Sequence, residues 1–300
     1  MFTKGKLSEE LIEAGSENRK YLYYVPTSLP KDKPVPLLIS FHGAGSDAFY
    51  HSRLTQFHKL AEEKQFMVLY PEAKQVHSTD LQSKQWNDGR KSNPAYQTDV
   101  EDKLFIENLL DWWQKVHLID ASRIYLSGFS NGGAFSLRLA SEKPGRFAGV
   151  GAVSGTMPPS LEFSTASPPP PLIFIMGDED PVIPFTDAEL RGCSSFIIKD
   201  LLDANQTIEK WLSPYGESVH LHKERLPTRS LKDRSRVDKF TYSNAQGHVI
   251  ASFYTIKGGG HTWPGGPKLQ LPEFGHVSQQ IDASNEMWEA FRSFSSLQKQ

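Results

Sequence analysis

The chain has 300 residues, 38% of them hydrophobic, and a formal net charge of -2 at pH 7, so it can bury a substantial core. That balance leaves no excess of positive charge to neutralise phosphates, and neither nucleic acid nor an anionic membrane surface is expected as a partner. A lone cysteine, Cys193, excludes an intramolecular disulfide, and a thiol without Cys or His at ligand spacing argues against structural zinc.

The opening stretch MFTKGKLSEELIEAGSENRKYLYYVP contains no apolar run of signal-peptide length, and no later segment approaches the roughly 18 apolar residues of a membrane span. A cytoplasmic location is expected, with secretion as the alternative if a leader has been trimmed away; residues 1–18 read as an extension. Six apolar runs of strand length follow: YLYYV from Tyr21, PLLISFHG from Pro36, FMVLYPE from Phe66, RIYLSG from Arg123, PLIFIMGDED from Pro171 and VIASFYTIKGGGH from Val249. Between and after them lie segments of helical length and period: LTQFHKLAEEKQ, VEDKLFIENLLDWWQKV, NGGAFSLRLASEK, SSFIIKDLLDANQTIEKWL and IDASNEMWEAFRSFSSL. Strands alternating with helices predict an α/β fold, a mainly parallel central sheet with helices on both faces, as one domain. The proline-rich TMPPSLEFSTASPPPPL reads as a stiff surface connection, with a linker between two domains as the competing reading. The charged HLHKERLPTRSLKDRSRVDK reads as a solvated excursion in the manner of a hairpin arm.

Gly128-Phe129-Ser130-Asn131-Gly132 matches G-x-S-x-G between a strand and a helix. This sharp turn lifts a serine hydroxyl above the carboxyl edge of the sheet, and its glycines remove side chains that would collide with neighbouring backbone. A serine hydroxyl needs a base within hydrogen-bond reach and a carboxylate to hold that base in the right tautomer. In chain order after Ser130, one apolar strand runs into Gly177-Asp178-Glu179-Asp180-Pro181 and the last runs into Gly258-Gly259-Gly260-His261. Asp180, furthest into its loop, is the stronger acid candidate and Asp178 the fallback; His261 is the candidate base.

An oxyanion hole needs two backbone N–H groups aimed at the developing charge. Asn131 supplies one at the start of its helix; Ala44 in His42-Gly43-Ala44-Gly45 is the first choice for the other, with Gly45 second. His42 is expected to fix that turn through its ring nitrogens. Trp263, Trp86 and Phe129, with Tyr96 behind them, are candidates for lining the substrate pocket. His220 and His222 alternate as on a strand but lack a third ligand, so no metal is expected. His276, in the loop after His261, is a candidate for the mouth of the site, with surface solvation as the favoured reading. No cofactor is required, and the partner is a small-molecule or oligomeric ester.

FHGAGS, WNDGR, VEDKLFIENLLDWW, RIYLSGFSNGGAFSLRLA, GDEDPVIPF and GGGHTWPGG occur in one order from about residue 20 onward. In these motifs the chain resembles the polyhydroxybutyrate depolymerase and feruloyl esterase group of α/β-hydrolases, carbohydrate-esterase-like serine esterases. The resemblance implies Ser130 as nucleophile, Asp180 rather than Asp178 as acid, and His261 as base. It implies cleavage of hydroxycinnamoyl, acetyl or 3-hydroxybutyrate esters through an acyl-enzyme. The chain departs from the group at Met176-Gly177, usually His-Gly, at Ala44, often Cys, and at Glu101-Asp102, usually paired aspartates. A serine peptidase of the same fold would share the triad, but no propeller or cap long enough to filter peptides is evident. A non-catalytic binding protein on this scaffold would have no need of every catalytic group.

Overall fold

All six apolar runs become strands, and four further strands join them in one ten-stranded sheet. The computed structural model describes residues 2–30, 32–164, 167–186, 200–267 and 272–294. The strands are β1 (Ser8–Ala14), β2 (Glu17–Tyr24), β3 (Val35–Phe41), β4 (Met67–Pro71), β5 (Ile119–Phe129), β6 (Gly149–Val153), β7 (Leu172–Gly177), β8 (His220–Arg225), β9 (Arg236–Ser243) and β10 (Val249–Lys257). Their order across the sheet is β1-β2-β4-β3-β5-β6-β7-β10-β9-β8. From β4 through β3, β5, β6 and β7 to β10 every pairing is parallel, while β1 and β2 at one margin and β9 and β8 at the other run antiparallel. β3, β4, β6 and β7 are buried along their whole length. Continuous apolar runs are what a parallel sheet covered on both faces requires.

The covering helices are α1 (Ala48–Thr55), α2 (Phe57–Lys64), the short α3 (Pro94–Gln97), α4 (Asp102–Val116), α5 (Asn131–Glu142), α6 (Ala204–Leu212) and α7 (Ala283–Phe294). Phe105, Leu109 and Trp113 of α4, Phe135 of α5 and Trp211 of α6 pack on one face of the sheet. Leu54, Phe57 and Leu60 of α1 and α2 and Met287, Trp288 and Phe291 of α7 pack on the other. Among the described residues no helix is long and apolar enough to cross a membrane.

The predicted helix LTQFHKLAEEKQ is two helices instead, because Gln56 between them adopts a left-handed conformation with φ 52°. The helix expected over SSFIIKDLLDANQTIEKWL starts at Ala204, where Asp203 and Gln206 form a reciprocal capping box; its residues 194–199 lie outside the described residues, as does Cys193. The proline-rich segment joins β6 to β7, which pair directly with Val150 opposite Leu172. The charged excursion is the β8–β9 hairpin.

Candidate active site

The carboxyl ends of β5, β7 and β10 converge on one edge of the sheet. β5 ends at Phe129 and α5 begins at Asn131, leaving Ser130 alone in the turn at φ 53°, ψ -123°. Non-glycine residues avoid this region unless the surroundings impose it. Here they do: Ser130 donates its backbone N–H to Val153 O at 2.8 Å, and its own carbonyl accepts from Ala134 N at 3.0 Å. A Cβ on Gly128 would lie 2.1 Å from Gly132 O, and one on Gly132 would lie 2.4 Å from the carbonyl oxygens of Phe41 and His42. Only glycine permits the strand and helix to approach this closely.

β7 and β10 are parallel neighbours with Gly177 opposite Ile256, so the loops that leave them travel together. The N–H groups of Asp178 and Glu179 bond to the carbonyls of Ile256 and Gly259. A few residues on, Asp180 Oδ2 lies 2.8 Å from His261 Nδ1. The other oxygen of Asp180 accepts the N–H groups of Val182 and Ile183 at 2.8 and 2.9 Å, and its side chain is fully buried. Asp178 does something different: it accepts Gly258 N–H and pairs with Lys257, closing the strand ends. The Phe129 ring packs on the His261 imidazole with centroids 5.1 Å apart, which sets the imidazole beside the serine turn.

Across from that turn, a Cβ on Gly43 would sit 3.4 Å from Ser130 Cβ, so the loop after β3 borders the serine. His42 shapes this loop. Its Nε2 accepts Ala73 N–H at 3.0 Å, which leaves the proton on Nδ1, and Nδ1 donates to Gly43 O at 2.7 Å. In a trans peptide the carbonyl and the following N–H point in opposite directions. By fixing Gly43 O, His42 therefore turns Ala44 N–H the other way. Burial pushes the His42 pKa down to about 4, keeping it neutral at physiological pH. Gly45, the second choice for an oxyanion donor, gives its N–H to Lys84 O.

The expected aromatic lining needs correction. Trp86 is fully buried, donates Nε1 to His42 O at 3.0 Å and lies parallel to the Phe135 ring at 5.2 Å. Trp263 is buried too, edge-on to Phe57 and His51, with Nε1 donated to Ser284 Oγ. Both are braces behind the site. Phe129 remains partly exposed, and Tyr96 lies exposed on α3. His220 and His222 fall on the exposed strand β8.

In the loop over residues 272–280 the sequence singled out only the His276 side chain, and the bracing role of the loop's backbone was missed. Phe274 O accepts His261 N–H at 2.7 Å, His276 O accepts Gly260 N–H at 3.0 Å, and Ser278 O accepts Gly265 N–H at 2.7 Å. This loop is tied in turn to the β8–β9 hairpin. Asp233 accepts from His276 Nε2 and from the N–H groups of Gln279 and Ser235. Burial opposes the charge on Asp233, but those donors hold its carboxyl down at about 2.

The sheet order, the crossover helices and the strained serine between β5 and α5 define an α/β-hydrolase. The profile of the phospholipase/carboxylesterase family matches residues 25–208, more than half of the chain, and the protein belongs to that family of esterases. NocK of Nocardia uniformis subsp. tsuyamanensis, to which esterase activity is ascribed, is 27% identical over 86% of this chain and 74% of its own length. The bifunctional acetylxylan esterase/xylanase XynS20E of Neocallimastix patriciarum is 30% identical over 55% of this chain and 22% of its own. Feruloyl esterase B of Thermothelomyces thermophilus is 30% identical over 49% of this chain and 48% of its own, so the chain spans half or less of these last two relatives. Among solved structures, an acetyl xylan esterase from Aspergillus awamori superimposes over 95% of this chain and 99% of its own with a TM-score of 0.58 at 14% identity, a likeness of fold.

Proposed function

We propose that the protein is a serine carboxylic-ester hydrolase in which Ser130, His261 and Asp180 act as nucleophile, base and orienting acid. The observation that carries this is the 2.8 Å contact of His261 Nδ1 with a buried Asp180, beside a serine held at positive φ. With Asp180 accepting from Nδ1, Nε2 is the free nitrogen that takes the Ser130 proton as Oγ attacks the ester carbonyl. The oxyanion rests on the N–H groups of Asn131, at the positive end of α5, and Ala44. His261 then returns the proton to the departing alcohol, and water repeats the sequence on the acyl-enzyme. No step calls for a metal or cofactor.

Relatives named for acetylxylan and feruloyl esters suggest acylated carbohydrates as substrates. With Trp86 and Trp263 turned into the core, the partly exposed Phe129 and Phe274 are the rings that pack on the His261 imidazole among the described residues. We take the acetylxylan relatives as the guide and expect a short acyl group, acetyl first, over a hydroxycinnamoyl group that would need a longer aromatic sleeve. Initial rates on an acetylated xylo-oligosaccharide, methyl ferulate and a 3-hydroxybutyrate oligomer test this with wild type and Ser130→Ala. The acetyl ester is expected to lead in kcat/KM by about tenfold or more, and Ser130→Ala to lower kcat by about 10⁴-fold or more. Equal activity in Ser130→Ala overturns the mechanism; faster turnover of methyl ferulate overturns the acyl preference.

A further inference from the structure

Behind the serine turn lies a fully buried polar cluster that the mechanism above does not use. Asn131 commits both of its side-chain N–H donors and its carbonyl oxygen to the turn Trp86-Asn87-Asp88. Its Oδ1 accepts Trp86 N–H at 2.7 Å, and its Nδ2 donates to Trp86 O at 3.0 Å and to Asp88 Oδ2 at 2.7 Å. Asp88 is itself fixed: Arg90 Nε reaches Oδ2 at 2.8 Å, while Arg90 N–H and Asn93 Nδ2 reach Oδ1 at 3.1 and 2.9 Å. Asp88 and Asn93 have no solvent-exposed surface. The same turn grips the opposite wall, because Trp86 Nε1 donates to His42 O and His42 holds Gly43 O.

The two candidate oxyanion donors, Asn131 N–H and Ala44 N–H, stand on elements far apart in sequence; pairing of β3 with β5 brings those elements together, with Phe41 opposite Gly128, but does not fix the orientation of either donor. The Trp86–Asp88 turn is bonded to both. We propose that Asp88 is a positioning residue of the oxyanion hole: through Asn131 it locks the first residue of α5, and with Trp86 it holds the two donors as one rigid unit. This rests on the ester-hydrolase reading. Each link lies in a cluster buried from solvent, where a group left unpaired is costly, so the loss of one member strains the rest. Hydrogen bonds to an oxyanion lose their catalytic value steeply with misplacement, and displacements near 1 Å cost about a hundredfold.

Asp88→Ala removes the carboxylate that receives Asn131 Nδ2. Asp88→Asn keeps an acceptor oxygen at the same place, provided the amide turns that oxygen to Asn131. Both are assayed with an acetyl ester after titration of reactive serines with a fluorophosphonate, so that kcat refers to folded, competent sites. Binding of an alkylboronic acid, which forms a tetrahedral adduct, is measured in parallel. The expected result for Asp88→Ala is a kcat lower by about thirty- to a hundredfold per titrated site, KM within about twofold, and boronate affinity reduced by a similar factor. Asp88→Asn is expected to recover only part of that loss, because its amide NH2 then faces the Arg90 N–H and Asn93 Nδ2 donors that Asp88 Oδ1 accepts. A merely structural role lowers only the fraction of titratable sites, and that result overturns the proposal, as does unchanged kcat and boronate affinity in a folded Asp88→Ala. If Ser130→Ala stays active the ester-hydrolase reading falls and this proposal with it; if Ser130→Ala is dead and Asp88→Ala is unimpaired, only the positioning role falls.

Discussion

Asp180 divides its two oxygens between two tasks, one bound to His261 and the other to the N–H groups of Val182 and Ile183. Asp180→Asn leaves an atom on each side but offers the imidazole an acceptor in only one amide orientation. It is expected to lower kcat by roughly 10³- to 10⁴-fold while the melting temperature changes little, as thermal unfolding beside steady-state kinetics will read out. His42 makes a second residue-scale prediction. Its folded-state pKa lies near 4 against 6.5 for a free imidazole, so between those values the unfolded chain takes up a proton that the folded chain refuses. The stability contributed by neutral His42 is therefore complete above about pH 6.5 and is lost as pH falls toward 4; buried His51 shifts in the same direction. Urea unfolding at pH 7.5 and pH 5 is expected to show a loss on the order of 2 kcal/mol from His42. The candidate triad could be picked out of the sequence because each member follows an apolar strand in a fixed order. The tryptophans misled, since adjacency to a motif does not say whether an indole faces the cleft or the core.

At the scale of elements, the serine turn works because two glycines let β5, α5 and the end of β3 touch. Gly132→Ala would drive a methyl group into the carbonyls of Phe41 and His42, with an expected cost of roughly 3 kcal/mol or more. Gly145→Ala is the comparison: φ is 85° but nothing lies within 4 Å, and about 1 kcal/mol is expected from backbone strain alone. Thermal denaturation of both variants decides the contrast, and equal losses would contradict the packing account. Strand β6 escaped sequence reading for a related reason. GVGAV carries little apolar bulk because Gly149 abuts Phe291 and Phe294 while Gly151 abuts Met287, so α7 supplies the volume that the strand lacks. β1 was equally hidden, because in SEELIEA burial alternates while polarity does not: Leu11 faces solvent and Glu10 lies on the covered side, accepting from the Tyr21 hydroxyl.

On the scale of the whole molecule, β1 and β8 are the edge strands of the sheet among the described residues, and β8 is exposed along its full length. Its sequence HLHKER keeps that edge charged, with Arg225 paired to Asp238 and Lys223 over the Phe240 ring, a composition that discourages sheet-to-sheet association. Replacing Lys223 and Glu224 together by Val is expected to produce concentration-dependent self-association in light scattering while leaving esterase activity per site intact. Such an edge reads in sequence only as a charged stretch, and the hairpin's bonds to the 272–280 loop could not be foreseen, because they join the Asp233 carboxylate to an imidazole and a backbone N–H more than forty residues away and involve no recognisable motif.

That junction also sets a timetable. The turn carrying Ser130, its two glycines and the loop after β3 all precede residue 133, but the His261 imidazole hangs from backbone that Phe274, His276 and Ser278 hold in place. During synthesis those residues emerge well over a hundred positions after Ser130. On the proposed mechanism, a nascent chain carries Ser130 without its base until the segment through Gln280 is out, and no ester turnover is expected before then.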